Sequence, residues 1–223
     1  IFCTRWTGLY KDDAISSVEH RANLVLLLKY GMDFIKNYTM SGWVKMPNYR
    51  LNLPDYSDRA IFEGLVNHLI HRDYTIMGGE VHIDIYDDRV ELVSPGAMLD
   101  GTQIQDRDIY KVPSMRRNPV IADVFTQLDY MEKRGSGLRK MRELTEKLPN
   151  FLQGKEPQYL TEATSFYTTF YNLNWGENGR IPVEEVANRV NTTLEKYPVN
   201  EESSEKKYPV NEESSEKKYP VNE

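Results

Sequence analysis

The chain contains very little cysteine, with Cys3 alone among its 223 residues. One thiol excludes a disulfide within the chain and is typical of proteins in the reducing cytoplasm, where we expect this protein to act. Long apolar runs are lacking too: the best candidate, residues 24–28, is far shorter than the roughly 20 residues that span a bilayer. We therefore expect no membrane partner. The chain starts at Ile1 without an initiator Met, so we expect that it begins inside a longer protein.

Several catalytic signatures are absent from the sequence. No Gly-x-x-x-x-Gly-Lys-Ser/Thr run occurs, and this excludes a P-loop helicase motor. The four histidines form no His-x-x-x-His pair enclosing a Glu, so a zinc site is not predicted. No serine or cysteine stands in a nucleophile motif. If the chain is an enzyme, its chemistry must come from other residues.

The charge of the chain is acidic overall but unevenly distributed. A formal net charge of −6 argues against a nucleic-acid footprint over the whole chain. Residues 105–142 nevertheless carry nine basic and five acidic side chains. Within them, Arg116 and Arg117 lie at the start of a predicted helix, where the helix dipole disfavours cations. They predict contact with a phosphate, a nucleic acid or an acidic partner, or else ordinary salt bridges on a solvated helix face.

Apolar periodicity predicts an alternation of strands and helices. Residues 16–37 show three- and four-residue apolar steps after a serine pair that could cap a helix, and residues 57–71 predict a second, well-buried helix. Alternation at residues 80–86 and 89–93 predicts a hairpin. The other predicted elements are strands at 2–7, 43–52 and 164–173 and helices at 119–130 and 138–148. This order predicts an α+β fold with helices packed on a mixed sheet.

Four stretches are expected along the chain. Residues 1–56 would form an N-terminal strand-helix-strand part of the same domain as residues 57–175, which form its core. Residues 176–195 would be a short helix or a linker. An 11-residue unit, Lys-Tyr-Pro-Val-Asn-Glu-Glu-Ser-Ser-Glu-Lys, then repeats through residues 196–223. Each copy has a proline and no apolar stripe, so we expect a solvated low-complexity tail rather than a folded solenoid.

The second predicted helix carries polar residues on an otherwise apolar surface. Glu63 and Asn67 are four residues apart and share one helical face, and His71 follows one turn later. A carboxylate and an amide on such a buried helix must be paired or must bind something. The Asn67 amide oxygen suits Mg²⁺, and Glu63 could orient or activate water against a phosphate. Alternatively, both side chains hydrogen-bond to neighbouring backbone.

Two glycine-containing segments are candidates for close contact with a ligand. Arg134-Gly135-Ser136-Gly137 lies directly before a predicted helix. The first amides and the dipole of that helix would face an anion, although the segment could also be a simple turn between helices. Ser94-Pro95-Gly96 ends the predicted hairpin, and it could line a ligand or merely terminate the strand.

Taken together, these motifs are similar to those of the RecG-related transcriptional regulators. The resemblance rests on four groups of residues that follow one another in that family's order. They are Glu63-x-x-x-Asn67 with His71-Arg72-Asp73-Tyr74, Asp87-Asp88-Arg89-x-Glu91 with Ser94-Pro95-Gly96, Arg117-Asn118-Pro119-x-Ile121-Ala122, and Glu132-x-Arg134-Gly135-Ser136-Gly137. The groups cover about residues 57–142. In that family this region resembles the GHKL ATPase fold of gyrases and histidine kinases, and it is not a helicase motor.

The resemblance implies a GHKL-like two-layer sandwich with a nucleotide site. Glu63 and Asn67 fall in the N-box, which holds the catalytic carboxylate and the magnesium-binding amide, and residues 135–137 fall in the glycine box beside the phosphates. Ser94 and Gly96 stand where GHKL proteins carry Asp-x-Gly-x-Gly. The aspartate that reads the adenine amino group and the second glycine are absent. This departure disfavours adenine recognition and, more strongly, ATP hydrolysis.

Three functions follow as hypotheses. The first is a regulatory, ligand-sensing module of a DNA-binding transcriptional regulator with little or no ATP turnover. The second is an ATPase in which Glu63 is the base and Asn67 binds Mg²⁺, so that ATP and Mg²⁺ are cofactors; the third is a protein-interaction module without nucleotide. Many relatives carry a Schlafen-type AlbA domain upstream and a winged helix downstream. DNA is therefore expected as a partner through an upstream domain. A homodimer is a further possibility that the sequence leaves undecided.

Overall fold

The computed structural model describes residues 1–46, 48–131 and 135–196. Its strands are β1 (Phe2–Trp6), β2 (Ala14–Glu19), β3 (Ser41–Lys45), β4 (Arg50–Pro54), β5 (His82–Ile85), β6 (Arg89–Pro95), β7 (Gln158–Thr161), β8 (Ser165–Tyr171), β9 (Trp175–Gly176) and β10 (Gly179–Arg180). Its helices are α1 (Leu24–Tyr38), α2 (Asp58–His71), α3 (Pro119–Gln127), α4 (Gly137–Glu146) and α5 (Val183–Lys196). The predicted repeat tail lies, apart from Lys196, outside the described residues.

The main sheet has six strands in the order β2-β1-β5-β6-β8-β7. Strands β1 and β5 run parallel, and every other neighbouring pair in this sheet is antiparallel. The parallel pair is connected by a long crossover that contains α1 and α2, and α2 contacts α1, α4 and the strands β6 and β8. The predicted α+β sandwich of a mixed sheet and helices is thereby confirmed.

Helix α2 lies at the centre of the hydrophobic core. It begins after Ser57, whose hydroxyl accepts a hydrogen bond from the Ala60 amide at 3.3 Å, as an N-cap does. Its apolar side chains, such as Leu65, are buried against the sheet. A Cβ added to Gly64 would lie 2.9 Å from the Phe170 ring and 3.1 Å from Leu92. The helix backbone therefore approaches β6 and β8 more closely than a residue with a side chain would allow.

The N-terminal part of the chain differs from the prediction. The expected helix at 16–37 begins only at Leu24, because Asn23 is the N-cap and accepts from the Leu26 amide at 3.0 Å. Residues 14–19 instead form the edge strand β2, which pairs antiparallel with β1. The backbone hydrogen bonds of β2 come from the preceding strand β1, and helical periodicity within residues 16–37 cannot reveal such a partner. The predicted strand at 43–52 is in fact the hairpin of β3 and β4.

Most later elements match the prediction closely. The hairpin of β5 and β6, the helix that starts at Pro119 and the strand within 164–173 are all present. Strand β7 was not predicted, and it pairs with β8 at the sheet edge. No finding tests the predicted division of the chain at residues 56 and 175, so that division stays a prediction.

A second, smaller apolar cluster joins α5 to the β3–β4 hairpin. Its buried members are Leu53, Val186, Ala187 and Val190. Beside it, the buried Asp55 carboxylate accepts hydrogen bonds from Arg180 Nη2 at 2.8 Å and from Asn174 Nδ2 at 2.9 Å. Within the described parts of the chain, no helix is long and apolar enough to cross a membrane.

Candidate functional site

A cavity of about 140 Å³ opens between α2, the end of β6, the segment before α3 and the start of α4. Each of the predicted ligand-binding segments contributes to its lining, although Glu63, Arg116 and Ser136 themselves are not among the lining residues. The predicted residues that do line it are Asn67, Ser94, Gly96, Arg117, Gly135 and Gly137. They come from places far apart in sequence, so their convergence is a product of the fold.

The contact between α2 and α4 places Asn67 beside Gly135-Ser136-Gly137, which we call the glycine step. A Cβ added to Gly137 would lie 2.5 Å from Asn67 Nδ2, so the Asn67 amide lies directly against the first residue of α4. Ser136 is the N-cap residue of α4, but its side chain makes no capping hydrogen bond. The first amide groups of α4 therefore have no side-chain acceptor from their N-cap, and such amides can bind an anion.

The glycine step needs glycine for its own backbone geometry. Gly135 has φ of +64°, and a Cβ there would lie 2.5 Å from Ser114 Cβ and 3.0 Å from Ser114 Cα. Both the left-handed conformation and the close approach of the 114 backbone exclude larger residues. The step is consequently held against the segment that precedes α3, on one wall of the cavity.

The end of β6 is joined to the end of α2. The Asp73 amide donates to the Pro95 carbonyl at 2.8 Å, and the Asp73 carboxylate accepts from Arg117 Nη1 at 2.8 Å. Gly96 has φ of +108°, and a Cβ there would lie 2.8 Å from Asp73 Cβ. Asn118 Nδ2 donates to the carbonyls of Ile70 and Arg72, both at 2.8 Å. These contacts join three of the four motif groups.

The two arginines that were predicted to contact an anion both have ion-pair partners. Arg117 pairs with Asp73, and it also lines the cavity. Arg116 Nη1 lies 3.2 Å from Asp123 Oδ1, and Arg116 is outside the cavity lining. A structural salt bridge was the alternative explanation for this pair. For Arg116 the geometry favours that alternative, whereas Arg117 can serve both the salt bridge and a ligand.

Glu63 is buried, with 5% of its surface exposed, and lies outside the residues that line the cavity. Its Oε1 atom accepts from Arg59 Nη2 at 2.8 Å and lies 2.8 Å from Lys140 Nζ. Lys140 belongs to α4, so this carboxylate links the two helices that flank the glycine step. The buried carboxylate was predicted from the sequence without its cations: Arg59 is four residues away on the same helix and could have been found, whereas Lys140 could not, because it is far away in the chain.

The inner end of the cavity was not anticipated. Ser94 and Phe166 are register partners on β6 and β8, and Thr168 lies two residues further on the same face of β8. His68 of α2 meets this face, and its Nε2 lies 2.9 Å from Thr168 Oγ1. We call these four cavity-lining residues the back wall. The alternation of β8 could have placed Thr168 inside, but only the fold shows that His68 is opposite it.

Burial sets the protonation of the two histidines. Desolvation, with a smaller contribution from His71, lowers the pKa of His68 to about 3, so its imidazole is neutral at pH 7. The pKa of His71 is lowered mainly by desolvation and to a smaller extent by the positive charges of Arg117 and Arg116. His68 Nδ1 is buried and has no hydrogen-bond partner among the described residues. Among those residues, no three His, Cys, Asp or Glu side chains are grouped as a metal site.

The comparisons with known proteins agree with this architecture. Residues 78–170 match the family described as "Putative ATP-dependent DNA helicase recG C-terminal". The match includes Ser94, Gly96 and the glycine step, but not α2. This similarity supports a RecG-related, ATPase-type module. No curated protein matches the chain.

Among solved structures, the chain is similar to the DIP2311 protein from Corynebacterium diphtheriae. The TM-score is 0.66 at 19% identity, and the match covers 84% of this chain and 36% of that one. At that identity the likeness shows the fold alone. The chain thus spans about a third of the length of that protein.

Proposed function

We propose that this domain is a nucleotide-sensing module of a DNA-binding transcriptional regulator, and that it binds its nucleotide with little turnover. The observation that supports this proposal best is the convergence of Asn67, Gly96 and the glycine step on one cavity. The β-hairpin motif, the N-box helix and the glycine box meet where a nucleotide would need them. The similarity of residues 78–170 to an ATPase-type family supports the same conclusion.

The phosphates of the ligand would lie at the start of α4. Gly135 and Gly137 bring backbone amides to the cavity without intervening side chains, and the helix dipole favours negative charge there. Arg117 supplies a cation on the same lining. The Asn67 amide oxygen is a hard ligand of the kind that Mg²⁺ takes together with phosphate oxygens and water. Asn67 therefore fits one magnesium position if the nucleotide binds with Mg²⁺.

Low turnover follows from the surroundings of Glu63. A general base needs an acceptor oxygen within reach of the attacking water, and Oε1 of Glu63 is taken up by Arg59 and Lys140, which leaves Oε2 as the acceptor. Arg59 and Lys140 hold the Oε1 atom of the carboxylate between α2 and α4. Its place outside the cavity lining separates it further from a bound phosphate.

An ATPase is the second candidate, and one observation favours it. Glu63 lies one turn from Asn67 on α2, the arrangement that the N-box hypothesis requires. If Lys140 moved to a phosphate, the carboxylate would lose one of its two cations, and Oε1 could accept a hydrogen bond from water in its place. Glu63 would then be the base, with Asn67 on the metal.

Calorimetric titration of the chain with ATP and Mg²⁺, combined with a phosphate-release assay, tests the proposal. We expect binding with a dissociation constant below about 1 mM and no phosphate release above background. Asn67→Ala should weaken binding several-fold, whereas Asn188→Ala, an exposed asparagine on α5 away from the cavity, should not. Absence of heat at millimolar ATP would contradict nucleotide sensing. Phosphate release that Glu63→Gln abolishes while binding survives would establish the ATPase instead.

Three parts of the proposal concern the rest of the protein. We propose that DNA is bound by an upstream domain of the Schlafen-type AlbA class, that the protein acts in the cytoplasm, and that the module transmits its ligand state to the DNA-binding part. Arg116 and Arg117 both have acidic partners, which disfavours a DNA contact by these two arginines.

DNA binding by this chain alone tests that assignment. We expect weak binding whose salt dependence is the same in the wild type and in the Arg116→Ala/Arg117→Ala variant. A clearly flatter salt dependence in the variant would instead place a DNA contact on these two arginines.

A further inference from the structure

The β3–β4 hairpin has one face against the protein and the other in solvent. Its inner face belongs to the smaller apolar cluster with α5, through Val44, Leu51 and Leu53. Side chains alternate between the two faces of a strand, and residues directly opposite each other share a face. The outer face, which we call the ribbon face, therefore consists of four exposed residues, Trp43, Lys45, Arg50 and Asn52. Packing of the inner face holds the ribbon face toward solvent.

Exposed aromatic surface is the first feature of this hairpin. Trp43 is 51% exposed, and Tyr49 in the turn is 53% exposed. The Arg50 guanidinium carbon lies 4.5 Å from the centroid of the Trp43 ring, and Arg50 Nε donates to Asn52 Oδ1 at 3.1 Å. An indole that is stacked by a guanidinium and still open over half of its surface is a platform of the kind on which nucleic-acid bases stack.

The charge of the hairpin is uniformly positive. Residues 41–54 contain Lys45 and Arg50 and no acidic residue, although the net charge of the whole chain is −6. The two cations are register partners beside the turn. The acidic first turn of α5 lies near Gly42, toward the other end of the hairpin. The end of the ribbon face that carries the cations thus complements an anionic partner.

Neither cation of the ribbon face has an acidic partner within the described parts of the chain. The polar contact of Arg50 is with the Asn52 amide. Arg116 and Arg117, in contrast, each pair with an aspartate. An exposed cation without a counter-charge can pair with a phosphate and release the counterions of a nucleic acid, and this release is the main source of non-specific affinity.

We propose that the ribbon face binds a single strand of nucleic acid, with a base stacked on Trp43 and two backbone phosphates on Lys45 and Arg50. Stacking on a side chain requires an unpaired base, because a duplex presents only the edges of its bases in the grooves. An acidic protein segment would satisfy the two cations but would leave the indole without a flat partner. The inference goes beyond the proposed function, since it concerns another surface and does not require a nucleotide in the cavity.

Fluorescence anisotropy of a labelled oligothymidylate, titrated with the nucleotide-free chain, is the first test. At about 50 mM salt we expect a dissociation constant of about 10–100 μM, and a slope of about −1.4 in log affinity against log salt, as for two phosphate contacts on a single strand. The duplex with oligoadenylate should bind at least about fivefold more weakly, because its bases are paired. Equal affinity for strand and duplex, or no binding at about 1 mM protein, would overturn the proposal. Displacement of the strand by an equal charge of polyglutamate would assign the face to an acidic protein instead.

The phosphate contacts are tested by the double variant Lys45→Ala/Arg50→Ala. It should weaken binding at least about tenfold and bring the salt slope close to zero. The matched control removes the two ion-paired arginines of α4, Arg139 and Arg142, and should leave affinity and slope unchanged. A slope that the hairpin variant does not change would mean that the phosphates lie elsewhere.

The stacking contact has a readout of its own. Trp43→Ala should weaken binding about tenfold with little change in the salt slope, whereas Trp43→Phe should retain most of the affinity. Bound oligothymidylate should quench the tryptophan fluorescence of the wild type, and Trp43→Phe should lose this quenching while the strand still binds. Full affinity in Trp43→Ala, or unchanged quenching in Trp43→Phe, would contradict the stacked base. If Trp43→Ala does not fold, the quenching in Trp43→Phe decides the question.

The nucleotide site and the ribbon face can be tested separately. Asn67→Ala should bind the strand as the wild type does, and saturating ATP should not displace it. Displacement by ATP would place the strand in the cavity and would overturn the inference. Loss of strand binding with ATP binding intact would contradict this inference alone, and the reverse result would contradict nucleotide sensing alone.

Discussion

Replacing Glu63 with Gln removes the negative charge that links α2 to α4 while keeping the shape of the side chain. The Glu63 side chain is 6% exposed, and those of its partners Lys140 and Arg59 are 23% and 47% exposed. Removing one member of a fully buried ion pair costs about 3–5 kcal/mol. Both cations reach solvent here, so screening reduces the effect, and we expect a loss of about 1–3 kcal/mol in the free energy of unfolding.

Urea denaturation of the nucleotide-free protein measures this loss, provided that the slope of free energy against urea is unchanged. Lys140→Met and the double variant complete a thermodynamic cycle, from which we expect a coupling of about 1 kcal/mol between Glu63 and Lys140. The matched control is Glu143→Gln, which breaks the exposed ion pair between Glu143 and Arg139 within α4. Its loss should stay below about 0.5 kcal/mol.

The opposite result would change the functional conclusion. A Glu63→Gln variant as stable as the wild type, or more stable, would mean that the ion pairs of Glu63 do not stabilise the folded protein. A buried charge that does not stabilise the protein is expected at a catalytic site. That result would contradict a stabilising role for Glu63 and would favour the ATPase hypothesis.

The other predictions concern close packing, the cavity and alkaline pH. Gly64→Ala should destabilise the protein by about 1–2 kcal/mol in denaturation, since overpacking against Phe170 outweighs the gain in helix propensity; a more stable variant would contradict the close approach. Gly137→Ala should cost under about 1 kcal/mol, because only the flexible Asn67 amide must move, yet calorimetry should show weaker ATP binding. Burial raises the pKa of the Cys3 thiol to about 12, so its contribution to stability is present below pH 9 and is lost as the pH rises toward 12. When the pH is raised from 8.5 to 10, the free energy of unfolding measured by urea denaturation should fall by about 1 kcal/mol less for Cys3→Ala than for the wild type. Equal decreases would contradict the buried, neutral thiol.

Local patterns were sufficient for the centre of the fold. The apolar surface of α2 and its Ser57 cap are encoded within a dozen residues, and so are the alternation and turn of the β5–β6 hairpin. Such elements match their prediction because propensity, capping and burial all favour the same structure. The edge strand β2 was not predicted, because its residues are mostly exposed and its hydrogen bonds depend on β1.

The candidate site was predictable in its parts but not in its arrangement. Asn67, Gly96 and the glycine step were found as separate motifs, and the order of the motifs suggested that they belong together. Their shared cavity could not be derived from spacing, because packing of α2 on α4 brings Asn67 to Gly137 across 70 positions of the chain. The site roles of these residues stay predictions until a ligand is measured.

The sequence by itself determined which segments are helix and strand wherever the local signals agreed, and it supplied the glycines and the buried polar side chains that any site here must use. Only the tertiary structure decided what those side chains do. It placed two cations on the Glu63 carboxylate and Thr168 against His68. The physical reason is that hydrogen bonds, ion pairs and desolvation depend on distances in space, which a one-dimensional pattern does not contain.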